Sequence, residues 1–200
     1  MYLTKWISIL YIVFVLQVVL ATNASADEFS TQLSHNPGGD FTLKSSQGSI
    51  SLSQYRGSVV LLFFGYTSCP DVCPTTLSIL SRAFAGLNED ELDKTKALFI
   101  SLDPDRDTPE LLQKYAGYFH PNIIGATANV EVLNQVTEQY GVAYERKEKA
   151  SSPLGYVINH TFDVLVVNRE GKLLDTRIRP TTSPDDILAY LKTLLGNSPQ

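Results

Sequence analysis

Sulfur and imidazole are scarce in this chain. Of its 200 residues, two are cysteine and three are histidine. Two cysteines permit at most one disulfide, and none stands near residues 20–30, which excludes a lipid-anchored lipoprotein start. A basic excess is missing too: 16 Lys and Arg face 21 Asp and Glu, for a net charge of -5. That balance speaks against nucleic acid or an anionic membrane surface as partner. There are no internal repeats and no low-complexity tracts. The longest apolar run, "WISILYIVFVLQVVLA" after Lys5, holds an apolar stretch of about 14 residues, short of the roughly 20 that a spanning helix needs.

That run has a different meaning. A positive start at Lys5, a short apolar stretch and the small-x-small end Ala24-Ser25-Ala26 are the parts of a secretory signal peptide. Residues 1–26 are therefore expected to be a leader, with an uncleaved inner-membrane anchor facing the periplasm as the alternative. Lys5 is the only charged residue before Asp27, so cleavage takes the net charge from -5 to -6. A periplasmic location follows, and in that oxidising space two cysteines pair unless something keeps them reduced or occupied. Residues 27–39, rich in Ser, Asn and Gly, read as a linker. Residues 40–196 are long enough for one domain with a full core, and a tail covers 197–200.

Within the domain, "DFTLKSSQGSISLSQYRG" predicts an N-terminal β-hairpin. "SVVLLFFGY" (58–66) is continuously apolar, as a strand buried on both faces should be. From Pro74, Leu77, Leu80, Phe84 and Leu87 recur at helical spacing, and Pro74 suits a first helical position. "KALFISLD" is a second strand. Thr108, Pro109 and Glu110 then open a helix as N-cap, first residue and first-turn acid. "NVEVLNQVTEQYG" is a third helix closed by Gly141. "VAYERKEKASSPLGYVINH" reads as a long irregular segment. "TFDVLVVNREGKLLDTRI" predicts two strands turning at Arg169-Glu170-Gly171, and Ser183-Pro184 caps a last helix. Strand, helix, strand implies a parallel pair with a crossover. The whole order is that of an α/β thioredoxin-like fold, with a central mixed sheet, the N-terminal β-hairpin and flanking helices.

Both cysteines lie in "YTSCPDVCPTT", just after the first central strand, where ligands gather in α/β sheets. Cys69 and Cys73 sit four positions apart at a helix start, which lowers thiol pKa. Their geometry permits a disulfide or a shared metal. A static staple is poorly motivated, because so short a loop removes little chain entropy. A metal needs a third group. His35 lies in the linker, and His120, before Pro121, is read as a surface residue at a helix end. His160 immediately precedes "TFDVLVV", in the loop where thioredoxins place a cis-proline facing their cysteines. Two thiolates and one imidazole form a soft set without a fourth ligand of equal quality, which places copper ahead of zinc. One ion per chain is expected, as Cu(I), Cu(II) or both.

"FFGYTSCPDVCP", "SLDPDRDTP" and His160-Thr161 together closely resemble the SCO/SenC family of copper chaperones, from about Asp40 to the last helix. The resemblance implies one copper ion held by Cys69, Cys73 and His160. It implies a role in assembling cytochrome c oxidase, through metallating or reducing the copper A site of subunit II. It also implies exchange with other copper carriers, and that the segment before His160 is a mobile loop swinging the third ligand. A monomer is expected. Many members have His where this chain has Ser68. In "DPDRDTP", helix capping explains Thr108 and Pro109, whereas Asp103, Arg106 and Asp107 are candidates to border the copper face. Asp71, between the cysteines, adds local negative charge without being a ligand.

The rival reading is a thiol–disulfide oxidoreductase acting through the Cys69/Cys73 pair, for which His160 is dispensable. A copper storage or sensing module is a further alternative. A peroxidase is disfavoured: its Thr or Ser three residues before the nucleophile, and Pro four earlier, are Tyr66 and Leu62 ahead of Cys69. Ahead of Cys73 the same places hold Pro70 and Tyr66.

Overall fold

A computed structural model describes residues 37–148 and 155–196. The expected leader, most of the expected linker, residues 149–154 before His160, and the expected tail lie outside the described residues. Two short strands, β1 (Thr42–Ser45) and β2 (Gly48–Ser51), pair antiparallel as the N-terminal hairpin. Five strands form the main sheet: β3 (Val59–Gly65), β4 (Thr95–Ser101), β5 (Ile123–Ala126), β8 (Val164–Val167) and β9 (Leu173–Ile178). Their order is β5-β4-β3-β8-β9. β3, β4 and β5 run parallel, while β8 is antiparallel to both β3 and β9. This is the mixed sheet of a thioredoxin-like α/β fold.

The middle of the sheet is dry because its sequence is apolar on both faces. Every residue of β3 is buried, and every residue of β8. Adjacent side chains of a strand point to opposite faces, and β3 shows it: Phe63 meets Phe99, whereas Phe64 meets Tyr140. The helices α1 (Val72–Phe84), α3 (Pro109–Phe119), α4 (Val130–Tyr140) and α5 (Pro184–Leu194) cover it. Their starts obey local chemistry. Thr108, Asn129 and Ser183 each accept a backbone N–H from the first turn, and Pro109 and Pro184 fill positions that have no N–H to lose. Gly141 closes α4 at φ 65°, in the left-handed region.

Four features depart from the sequence expectations. α1 starts at Val72 rather than Pro74, so Cys73 lies inside its first turn and Cys69 outside it. A short helix α2 (Glu89–Asp93) precedes β4; a reciprocal cap between Asn88 and Glu91 holds it. β5 is an added strand of four residues, too short to show a period. Gly125 is required in it, because a Cβ there would lie 2.5 Å from the Leu112 carbonyl oxygen of α3.

The fourth departure matters most for the site. The segment expected to be irregular contains a second antiparallel hairpin, β6 (Tyr144–Glu148) and β7 (Tyr156–His160), in register from Tyr144 opposite His160 to Glu148 opposite Tyr156. Residues 145–148 are exposed, so β6 shows no apolar alternation. Its strand character comes from pairing with β7, not from burial.

At the amino end, residues 38 and 39 are tied to α4. Gly38 N–H donates to the Gln139 carbonyl at 2.9 Å, and the Tyr140 hydroxyl donates to the Gly39 carbonyl at 2.5 Å.

Candidate metal centre

β3 ends at Gly65 and releases the chain into the loop Tyr66–Asp71, which carries Cys69 and leads into α1 with Cys73. β8 runs antiparallel beside β3, with Leu165 opposite Leu62, so the start of β8 lies at the same edge as the end of β3. His160, the last residue of β7, stands four residues before β8 begins. Sheet neighbourhood thus unites groups that are 87 positions apart in sequence. Cys73 Sγ and His160 Nε2 are 3.6 Å apart, and the donor atoms of Cys69, Cys73 and His160 all lie within 4.8 Å of one another. Among the described residues, this is the only cluster of three or more such groups arranged to hold a metal ion.

Each donor is held by its surroundings. Cys73 is fully buried, and Cys69 is 9% exposed; both are free thiols. Gly65 makes room for the deeper sulfur: a Cβ there would lie 2.7 Å from Cys73 Sγ and 2.8 Å from the Phe99 ring. His160 Nδ1 lies 2.8 Å from the Thr161 carbonyl oxygen. A carbonyl only accepts, so Nδ1 carries a proton, which leaves Nε2 as the ring nitrogen that faces the sulfurs. Tyr66 and Phe63 pack edgewise on the imidazole, with ring centroids 6.0 and 6.5 Å away.

The thiols are electrostatically unequal. The Cys73 thiol, as hydrogen-bond donor, holds Cys69 far below the usual thiol range, at about 4. Burial opposes this shift, while His160 and the backbone N–H groups of Asp71 and Cys73 assist it. Cys73 moves the other way, pushed up first by its bond to Cys69 and then by burial. The helix start contributes less than the partner sulfur. The sequence expectation of two readily ionised thiols therefore applies to one of them before metal arrives.

The loop beneath the cysteines rests on Asp107. This carboxylate is fully buried and accepts from Thr67 N–H at 2.9 Å, Thr67 Oγ1 at 2.5 Å and Ser101 Oγ at 2.5 Å. Asp103 is 2% exposed and pairs with Arg106. Neither Asp103 nor Asp107 reaches the surface, whereas Asp105, the third acid of "DPDRDTP", is exposed and pairs with Arg146. Arg106 keeps 20% of its side chain exposed and lies over the Tyr66 ring. Ser68 is half-buried beside Cys69, and Asp71 is exposed at the helix start. His120 stays apart, packed edgewise on Phe84, its Nδ1 accepting from Asn122 N–H at 3.1 Å. Sequence reasoning misses two residues that shape the site: Gly65 stands inside "FFGYTSCPDVCP" with no donor atom to mark it, and Tyr156 carries no motif signal.

The sequence profile described as SCO1/SenC matches residues 30–196. The chain belongs to this family. An SCO2-like protein of Rickettsia felis is 36% identical over 156 residues, covering 78% of this chain and 75% of that one. Among solved structures, apo Sco1 of Thermus thermophilus superposes with a TM-score of 0.72 at 39% identity, covering 80% of this chain and 92% of the other. Copper-bound ScoI of Bradyrhizobium japonicum also gives 0.72, at 31% identity, covering 80% and 99%. The Cys–Cys–His cluster of this SCO1/SenC protein thus stands in a fold shared with a relative whose structure holds copper.

Proposed function

We propose that this SCO1/SenC protein binds one copper ion through Cys69, Cys73 and His160. We propose further that it uses the ion, or the reduced thiols, to prepare the copper A site of cytochrome c oxidase subunit II on the periplasmic side. The convergence of two sulfurs and one imidazole nitrogen supports the reading most directly. The donor set fits the cargo: thiolates are soft ligands that favour Cu(I), and an added imidazole also suits Cu(II). Burial of both cysteines and the Phe63 and Tyr66 rings beside His160 limit access of water to the ion, and Cys69, 9% exposed, is the more accessible cysteine to an exchanging partner.

The test is an anaerobic competition titration of the reduced domain, wild type beside His160→Ala and the two Cys→Ser variants. Either serine variant is expected to abolish tight binding. His160→Ala is expected to weaken Cu(II) binding by at least about tenfold, and Cu(I) binding less, since Cu(I) is satisfied by two thiolates. Equal binding by wild type and His160→Ala in both oxidation states would remove His160 from the site.

The inequality of the thiols favours a second reading, reduction of the target. Cys69 thiolate attacks a target disulfide, forming a mixed disulfide and releasing one target thiolate. Cys73, on losing its proton, attacks Cys69 and releases the second target sulfur. The target gains two electrons, and the protein is left with a Cys69–Cys73 disulfide. The two roles are compatible, because only the reduced pair can carry copper.

A further inference from the structure

Tyr156 contributes no donor atom to the centre, yet on the hairpin that presents His160 it engages three other side chains. Its hydroxyl donates to Asp103 Oδ1 at 2.7 Å. Its ring has the Arg106 guanidinium 3.7 Å from the centroid and that of Arg146 at 3.5 Å. Two cations so close to one centroid cannot share a face, so the ring lies between them. Arg106 pairs with Asp103, and Arg146 with Asp105 at 2.9 Å. Three of these contacts, Tyr156–Asp103, Tyr156–Arg106 and Arg146–Asp105, join the β6–β7 hairpin to the loop 103–107. The same loop supplies Asp107, which fixes Thr67 two residues before Cys69.

We propose that Tyr156 is a positioning residue for the third ligand. Tyr156, Ile158 and His160 alternate along β7 and therefore share one strand face; Tyr156 and Ile158 are buried. Latching that face at Tyr156 fixes the rotation of β7 about its own axis, and this rotation decides whether His160 Nε2 faces the sulfurs. Loop 103–107 thereby references both arms of the site, the cysteine loop through Asp107 and the histidine hairpin through Asp103, to one rigid body. The inference rests on His160 being a copper ligand.

Tyr156→Phe tests it, because the variant removes one hydroxyl and keeps the ring between its two guanidiniums. Cu(II) affinity is measured for wild type, Tyr156→Phe, His160→Ala and the double variant. Loss of a buried hydrogen bond to a carboxylate is expected to weaken binding by about tenfold in the wild-type background. No weakening is expected in the His160→Ala background, where the positioned group is gone. Equal weakening in both backgrounds, or none where His160→Ala alone does weaken binding, overturns the positioning role and leaves the copper site standing. If His160→Ala itself changes nothing, the ligand assignment fails and the inference with it. The metal-free protein gives a separate readout. Amide exchange of residues 157–160 should quicken by about tenfold in Tyr156→Phe while β3 and β4 amides keep their protection; a uniform rise across the sheet would show a merely global effect and count against it.

Discussion

At the scale of single residues, one labelling experiment and one substitution separate the sulfurs. Cys69 is lowered to about 4, so at pH 6 it is almost wholly thiolate, whereas an ordinary thiol with a pKa of about 8.5 is ionised there to well under a hundredth. Reduced, metal-free protein treated with iodoacetamide is therefore expected to label rapidly at Cys69, at a rate nearly flat between pH 6 and 8. Fully buried Cys73 should label slowly. Peptide mass spectrometry locates the adduct, and a rate falling about tenfold per pH unit over that range would contradict the expected coupling. Gly65→Ala addresses the other sulfur. Its methyl would lie 2.7 Å from Cys73 Sγ and 2.8 Å from Phe99, with little freedom for either to retreat in β3's surroundings. Overpacking of this kind costs about 1–3 kcal/mol. The variant should lower the urea midpoint and weaken copper binding together, unlike a remote core change, which would lower stability alone.

At the scale of elements, Thr108 is a clean case: its side-chain oxygen accepts the Leu111 N–H at 3.3 Å, and Thr108→Ala is expected to cost about 1 kcal/mol. Chemical unfolding would show a lower midpoint with unchanged slope; an unchanged midpoint would mean that water or a neighbour replaces the cap. Helix starts of this kind are legible in the sequence, because cap, proline and acid stand in consecutive positions. β3 is legible from seven unbroken apolar or small residues. β6 is not, since "YERKE" offers no buried face and becomes a strand only through its partner β7. The segment before His160, expected to be irregular, is on both sides of residues 149–154 a registered hairpin. Cys69, Cys73 and His160 are legible as donors from residue type and their positions beside strand ends. The latch on Tyr156 is not, because Asp103 lies 53 residues away and nothing in the local pattern joins the two.

At the scale of the whole molecule, the centre exists only when the sheet does. Cys69 and Cys73 follow β3, His160 precedes β8, and the antiparallel β3–β8 pair brings them to one edge. Copper that binds the folded state alone stabilises it by about 4 kcal/mol at a thousand times its dissociation constant. For a domain of this size each kcal/mol moves the thermal midpoint by about 2–4 °C, so the ceiling is a rise of about 8–16 °C. The rise with Cu(I) should fall below that ceiling for a structural reason. Two cysteines four positions apart stay close in the unfolded chain and retain affinity there, and binding to the unfolded state cancels stabilisation. What folding adds is His160 and the burial of both cysteines. Wild type saturated with Cu(I) is therefore expected to gain several degrees more than His160→Ala, with no gain in a Cys69→Ser/Cys73→Ser double variant. Calorimetry under anaerobic conditions measures all three. An equal gain for wild type and His160→Ala would mean that the local dithiol motif alone holds Cu(I) and that the sheet contributes only burial.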